Sequence, residues 1–301
     1  MTIARRELAV VLGIAFMAVV IAGCPPPLPA PEEIMKGLSY AVLQPQTTCD
    51  ELRRDFKLEN LPLVDNPAEV GIEYEEVAVP APDGQTLRVW YMPLADPRGV
   101  VVVSGGNSGS MACYLFTAML LTYDGWSVVM YDYEGFGGSS GVADLNTLRG
   151  DLEAVVDWAH TQTGSPHLSL FGMSLGTIPT VAVAVDRPDV VNAVVLDSPV
   201  ALDGEIERFA YLVRGRAAQI IAVLAPWLVT TNVIGEMQQP ALVFVHGDDA
   251  VTPPDTVWHM LQNTSAAIDV VEFDGLGHAA GQFRRTEEYN AHLVEFLEQV
   301  W

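Results

Sequence analysis

The pentapeptide Gly172-Met173-Ser174-Leu175-Gly176 sets a hydroxyl between two glycines. That spacing makes a nucleophile when it falls between a strand and a helix. The serine then occupies a strained turn that projects its Oγ above the sheet, and the glycines let strand and helix close on each other. Leu168-Ser169-Leu170-Phe171 reads as the strand and Thr177 to Val185 as the helix. A serine hydroxyl needs a base to take its proton and an acid to orient that base. His278 suits the base, lying in the loop Phe273-Asp274-Gly275-Leu276-Gly277-His278 ahead of the final helix. His246 ends a strand and reads as structural, while His160, His167, His259 and His292 read as surface or packing residues. The acid comes from the stretch Phe244 to Pro253, where Asp248 and Asp249 both qualify. The chemistry this predicts is nucleophilic attack by the serine on a carbonyl. Its oxyanion needs two backbone N–H donors. Leu175, after the nucleophile, supplies one. Asn107, in the loop Ser104-Gly105-Gly106-Asn107-Ser108-Gly109, is the candidate for the other.

These residues must be carried by a frame, and the apolar pattern describes it. Ile72 to Val79 and Thr86 to Tyr91 alternate around the turn Ala81-Pro82-Asp83-Gly84, an antiparallel hairpin. Val100 to Val103, Trp126 to Tyr131, Leu168 to Phe171, Val190 to Leu196 and Ala241 to Val245 are continuous apolar runs, as in strands buried on both faces. Ile268 to Phe273 is an eighth strand. Helical patterns fill about 111–123, 147–162, 176–186 and 254–263, with an amphipathic helix over about 285–300. The alternation predicts an α/β fold: a mostly parallel eight-stranded sheet, an antiparallel N-terminal hairpin and helices on both faces. Residues 201–239 break the alternation and read as a small helical cap over the active site, the alternative being one crossover helix with a long loop. Residues about 34–65 are expected to wrap the domain.

With the order Ser174, aspartate, His278 and this frame, the chain from about residue 70 resembles the α/β-hydrolase superfamily. It is most similar to small-cap members of the serine aminopeptidase-like and acyl-protein thioesterase-like branch. Tyr131 to Gly141 resembles their D-x-R-G-x-G-x-S-x-G loop, with Glu134 in the arginine's place. Gly105-Gly106-Asn107 resembles their His-Gly-Asn oxyanion loop, with Gly105 in the histidine's place. Members carry G-x-x-D-x-x-[VT]-P around the acid. The aspartate four before Pro253 is Asp249, although it lies only two after Gly247, so the resemblance implies Asp249 as the acid. It implies no cofactor and no metal.

The N-terminus reads as a leader. Arg5 and Arg6 precede an apolar run from Leu8 to Gly23, shorter than the roughly 18 or more residues of a membrane span. Ile21-Ala22-Gly23-Cys24 resembles the lipobox of bacterial lipoproteins, which implies cleavage before Cys24 and lipidation of its thiol. Residues 1–23 are then a signal peptide, 24–35 a Pro-rich tether and 36–301 the hydrolase domain. The expected site is the cell envelope, lipid-anchored outside the cytoplasm. By resemblance to enterobacterial sorting, the absence of an Asp after Cys24 favours the outer over the inner membrane where there are two, so the expected place is the outer membrane or the cell surface. Cys49 and Cys113 are the remaining cysteines. They are too few to read a disulfide framework, and separate thiols are the expectation over a pair.

A net charge of −23 excludes nucleic acid as a partner, since no basic stripe is available to neutralise phosphates. The acidity reads as a solvated surface. The expected substrate is a small acyl ester or thioester. An amidase or peptidase with the same three residues, and a non-catalytic surface-binding lipoprotein, are the alternatives. The sequence leaves the oligomeric state open.

Overall fold

A computed structural model describes residues 29–58, 63–211 and 215–301. Eight strands form one sheet: β1 (Glu75–Pro80), β2 (Thr86–Met92), β3 (Val100–Ser104), β4 (Ser127–Tyr131), β5 (Leu168–Met173), β6 (Val191–Asp197), β7 (Ala241–His246) and β8 (Ile268–Phe273). Their order is β1-β2-β4-β3-β5-β6-β7-β8. β1 and β2 pair antiparallel from Glu75↔Tyr91 to Pro80↔Thr86, and β2 runs antiparallel to β4. From β4 to β8 every pairing is parallel. The expected architecture is present, each strand within a few residues of its apolar run.

The valine runs work on both faces at once. Side chains alternate across a strand, so Val100 and Val102 of β3 enter one core and Val101 and Val103 the other. On the first face lie α4 (Leu148–Thr163), α5 (Thr177–Asp186) and α9 (Pro254–Leu261), through residues such as Leu152, Val155, Ile178 and Val257. On the second lie α3 (Leu115–Tyr123) and α11 (Thr286–Val300), through Leu115, Leu121, Leu293 and Phe296. Because β3, β5, β7 and β8 run parallel, the loops that follow them gather at one edge of the sheet, where such folds place their ligands. Ser174, Asp249 and His278 all lie in those loops.

Residues 201–239 form α6 (Leu202–Arg208), α7 (Ala217–Ile221) and α8 (Thr230–Val233) with short 3-10 turns. They pack against α5 and α9 on the first face. Asp203 ties the ends of the segment together, accepting from Thr230 Oγ1 at 3.0 Å, and Thr230 Oγ1 accepts from Leu202 N–H at 2.9 Å. None of its described residues lines the cleft at Ser174. The expectation of a cap over the active site from this segment is therefore corrected. Its apolar side chains go to the sheet-covering core, as a crossover's do.

The segment that does reach over the cleft lies before β1. α1 (Pro31–Val42) starts with Pro31 in its first turn, inside the stretch assigned to the tether, and buries Met35, Leu38 and Ala41. α2 (Cys49–Asp55) begins with a capping box in which Thr48 and Glu51 satisfy each other's backbone N–H. Cys49 and Cys113 form a disulfide across 64 residues, where separate thiols were expected. The reason lies in the chain path. Gly109 N–H donates to the Gln44 carbonyl (3.2 Å), which brings the chain before α2 beside the loop before α3, and the two Cα atoms stand 4.9 Å apart.

A buried carboxyl pair sits beneath the loop after β4. Asp151 of α4 accepts from the Glu134 N–H at 2.9 Å, and both residues are buried. Burial foremost, with the Glu134 and Asp83 carboxylates adding to it against that N–H, pushes Asp151 up to about 8. A carboxyl whose folded value lies above its ordinary one stabilises fully at low pH, and that contribution is lost as pH rises toward the folded value. Asp151→Asn should therefore raise the melting temperature at pH 8, by on the order of 2–4 °C for each kcal/mol relieved, and leave it unchanged near pH 4. Thermal unfolding of the two proteins across that range checks it; equal effects at both ends would refute it.

Candidate active site

β5 ends at Met173, and Ser174 follows with φ +50°, a left-handed backbone that a serine adopts only when its surroundings impose it. The surroundings are visible at the two glycines. A Cβ on Gly172 would stand 2.7 Å from the Gly176 carbonyl oxygen. A Cβ on Gly176 would meet the Ser104 carbonyl and lie 2.6 Å from that of Gly105. Real side chains do not approach backbone so closely, so the motif is required by how tightly the start of α5 is drawn onto the end of β3. Thr177 Oγ1 donates to the Ser174 carbonyl (2.6 Å) and accepts from Val200 N–H (3.0 Å), locking the turn from behind. Ser174 keeps 8% of its surface exposed, and that surface faces the cleft.

His278 Nε2 lies 2.8 Å from Ser174 Oγ, and its Nδ1 lies 2.8 Å from Asp249 Oδ2. Asp249 Oδ1 accepts from the N–H groups of Val251 (2.8 Å) and Thr252 (2.9 Å), and Oδ2 from Thr252 Oγ1 (2.7 Å). The structure thus brings Asp249 to His278. Asp248 instead lines the cleft and donates its N–H to the Leu276 carbonyl at 2.9 Å. Burial works against a charged Asp249, yet the His278 partner and the Thr252 donors outweigh it and hold the carboxyl below its usual range. Burial likewise opposes the His278 imidazolium, and Asp249, with Asp197 farther off, overcomes it and raises the imidazole above 6.5.

Two residues that sequence reasoning passed over hold this arrangement. Thr252 bonds Asp249, as above. Ser198, at φ +52° after β6, accepts from the Ala279 N–H at 2.9 Å, so it grips the loop just past His278. His246 grips the same loop: its Nε2 accepts from Gly281 N–H (2.9 Å), which leaves Nδ1 as the donor to Ser198 Oγ (3.0 Å). Burial keeps His246 below 6.5 despite the Asp197 carboxylate near it. Only the D-S-P run Asp197-Ser198-Pro199 at a strand end could have signalled this role.

Leu175 is buried in the first turn after Ser174, where leading N–H groups have no partner within the helix. Asn107 lines the cleft with Gly106 and Ser108. Its side chain is used elsewhere: Nδ2 donates to the Val42 carbonyl (2.7 Å), and Oδ1 accepts from Ser108 Oγ (3.1 Å). Its carbonyl accepts from Gln44 N–H (2.8 Å). Tyr114 packs so closely below that a Cβ on Gly105 or Gly106 would lie 2.7 or 2.8 Å from its ring or hydroxyl. Tyr133 donates to the Gly105 carbonyl at 2.9 Å. The loop is held in place from three sides.

The cleft around Ser174 encloses about 870 Å³. Leu52, Phe56, Leu115, Phe116, Met119 and Phe283 line it. The Phe56 ring stacks on His278, centroids 6.2 Å apart. Cys24 lies outside the described residues. No helix among the described residues is long and apolar enough to cross a membrane.

The family described as serine aminopeptidase, S33 (Hydrolase_4) matches residues 95–237, a span that contains Ser174 and stops short of Asp249 and His278. An uncharacterized protein of Mycobacterium tuberculosis (strain ATCC 25618 / H37Rv) is 29% identical over 217 residues, covering 67% of this chain and 72% of its own. The alpha/beta hydrolase domain-containing protein WAV2 of Arabidopsis thaliana is 25% identical over 252 residues, 77% of this chain and 81% of its own. Among solved structures, the Pyrococcus furiosus esterase Pf2001 superposes with a TM-score of 0.67 at 16% identity, over 87% of this chain and 98% of that one. That likeness carries the fold.

The charge arrangement is testable without any substrate. The His278 imidazole should titrate above 6.5 when followed by NMR, and Asp249→Asn should move its titration downward by removing the carboxylate beside Nδ1. Asp248→Asn should leave it in place. A downward move with Asp248→Asn alone would reassign the acid.

Proposed function

We propose that this chain, a hydrolase of the α/β-hydrolase superfamily, cleaves carboxylic ester or thioester bonds through an acyl-enzyme on Ser174. The observation that carries the reading is the chain of hydrogen bonds from Ser174 Oγ through His278 to Asp249, opening on an apolar cleft. His278 Nε2 takes the Ser174 proton as Oγ attacks the substrate carbonyl. The imidazolium is stabilised by Asp249, which stays ionised. The N–H groups of Leu175 and Asn107 receive the oxyanion. As the tetrahedral intermediate collapses, the carbonyl–leaving-group bond breaks and His278 returns the proton to the departing alcohol or thiol. A water, deprotonated by the same imidazole, then attacks the acyl-enzyme and releases the acid and free Ser174.

The apolar cleft supports an acyl substrate over a peptide, which needs polar partners for its flanking amides. A fluorophosphonate probe should label the wild type and not Ser174→Ala. Ser174→Ala should lower kcat on p-nitrophenyl acyl esters by about 10⁴-fold or more. Turnover of aminoacyl anilides with no turnover of the esters would replace this reading with an amidase. Equal labelling of wild type and Ser174→Ala would remove the enzyme reading altogether.

We further propose that Cys24 is lipidated and holds the domain in the bacterial cell envelope, at the outer membrane or the cell surface. The Cys49–Cys113 disulfide supports this, since such bonds persist in oxidising compartments. Palmitate labelling in cells should be lost in Cys24→Ser. Retained labelling would overturn the anchor.

A further inference from the structure

α2 has no buried residue, which is unusual for a helix kept in place on a folded domain. At seven residues it cannot hold itself together, because helices this short do not persist in water without tertiary support. Nor does the core hold it: Leu52 and Phe56 face the Ser174 cleft instead. It is fastened at its two ends. At the first, Cys49 is covalently joined to Cys113, next to the oxyanion loop. At the second, Arg284 donates from Nη2 to the carbonyls of Phe56 (3.4 Å) and Lys57 (2.8 Å). Arg284 belongs to α10 (Gly281–Arg284), which begins three residues after His278. One fastening is just before α3 and the other on α10, both lining the cleft, and α2 runs between them as a strap with Phe56 over the His278 ring.

The space beneath the strap continues directly from Ser174. With Leu52 and Phe56 it is walled by Phe116, Met119 and Phe283. Its 870 Å³ lies in the upper part of the range for small-molecule sites. A space walled by these side chains and continuous with Ser174 suits the apolar part of an acyl group whose carbonyl lies at Ser174.

We propose that the space under α2 is the acyl-chain subsite of this hydrolase, and that the strap fastened by Cys49–Cys113 and Arg284 sets its preference for medium-length over short acyl chains. This rests on the acyl-enzyme reading above and adds to it a substrate class and the residues that select it. The selection is made by a segment that precedes the sheet. The helices between β6 and β7 take no part. Each methylene buried under the strap strengthens binding of the transition state, and kcat/KM rises by about fourfold for each one that finds apolar contact.

The test compares p-nitrophenyl acetate with p-nitrophenyl octanoate on the whole domain. Wild type should favour octanoate in kcat/KM by at least 100-fold. Reducing Cys49–Cys113 with a phosphine, or cutting either fastening with Cys113→Ser or Arg284→Gln, should lower the octanoate-to-acetate ratio by tenfold or more. Should Cys113→Ser fail to fold, the phosphine-treated wild type, with its fold checked by circular dichroism, gives the same comparison. Leu52→Trp, which fills the space without cutting the strap, should lower the ratio as well. An unchanged ratio after reduction, with fluorophosphonate still labelling Ser174, would overturn the strap's role and leave the acyl-enzyme reading standing. A wild type that labels but shows no preference for octanoate would do the same. Loss of labelling and of acetate turnover in wild type would instead overturn the acyl-enzyme reading, and the subsite with it.

Discussion

The structure depends on one close backbone approach: the start of α5 pressed onto the carbonyl end of β3 at Gly176. Contact at this distance excludes any side chain, and it joins two strands that each carry half of the proposed chemistry. β5 delivers Ser174, and β3 leads into the loop with Asn107. Were the helix to stand off by the width of a methyl group, the Leu175 and Asn107 N–H groups, proposed to receive the oxyanion, would be drawn apart. Placement to within a fraction of an ångström is what such electrostatic stabilisation requires. The left-handed φ at Ser174 is the strained conformation that this approach enforces.

Around that contact, charge is managed by burial. Asp249, His278, His246 and Asp197 are clustered in or beside the core, where an unpaired charge is costly. The two histidines go opposite ways for a structural reason. His278 meets a carboxylate at hydrogen-bond distance and is raised. His246 has both ring nitrogens engaged by neutral partners, Gly281 and Ser198, and burial keeps it neutral. A neutral His246 is a fixed hydrogen-bond bracket, so the loop bearing His278 is positioned by a group that does not titrate along with it. Tyr289 completes the packing beneath by donating to Asp197 at 2.8 Å.

Much of this was legible in the sequence because parallel strands buried on both faces must be apolar throughout. Val100 to Val103 and Ala241 to Val245 announce themselves. Ser174 and His278 were legible from local chemistry, a glycine-flanked serine after a strand and a histidine in the last loop. Their mutual distance is a tertiary fact, and so is the choice of Asp249 over Asp248. Local residue types leave Asp248 and Asp249 equal, and only the spacing to Pro253, read through the family resemblance, pointed to Asp249. Ser198 and Thr252 carry ordinary loop chemistry, and only the fold reveals what they hold. The cap failed for a definable reason. An apolar, helical stretch between two strands can cover the site or the sheet, and hydrophobicity is identical in the two cases. The strap was invisible for the converse reason: α2 has too few apolar residues to draw attention, and its support comes from a disulfide and an arginine far away in the chain.

The N-terminal segment also supports the loop after β3 that carries Asn107. Gln44 donates to the Asn107 carbonyl, the Val42 carbonyl takes the Asn107 side chain, and the Gln44 carbonyl receives Gly109. The chain then turns into α2, whose Cys49 is bonded to Cys113 just beyond that loop. The loop after β3 and the strap are therefore joined into one unit by these hydrogen bonds and the disulfide. A ligand that fills the space under α2 presses on the same unit that carries Asn107. Binding energy gained far from the reacting bond can in this way be expressed as alignment at that bond, which raises turnover as well as affinity. A cap inserted between β6 and β7 could shape the same cavity, but it would lack this connection to the oxyanion donor.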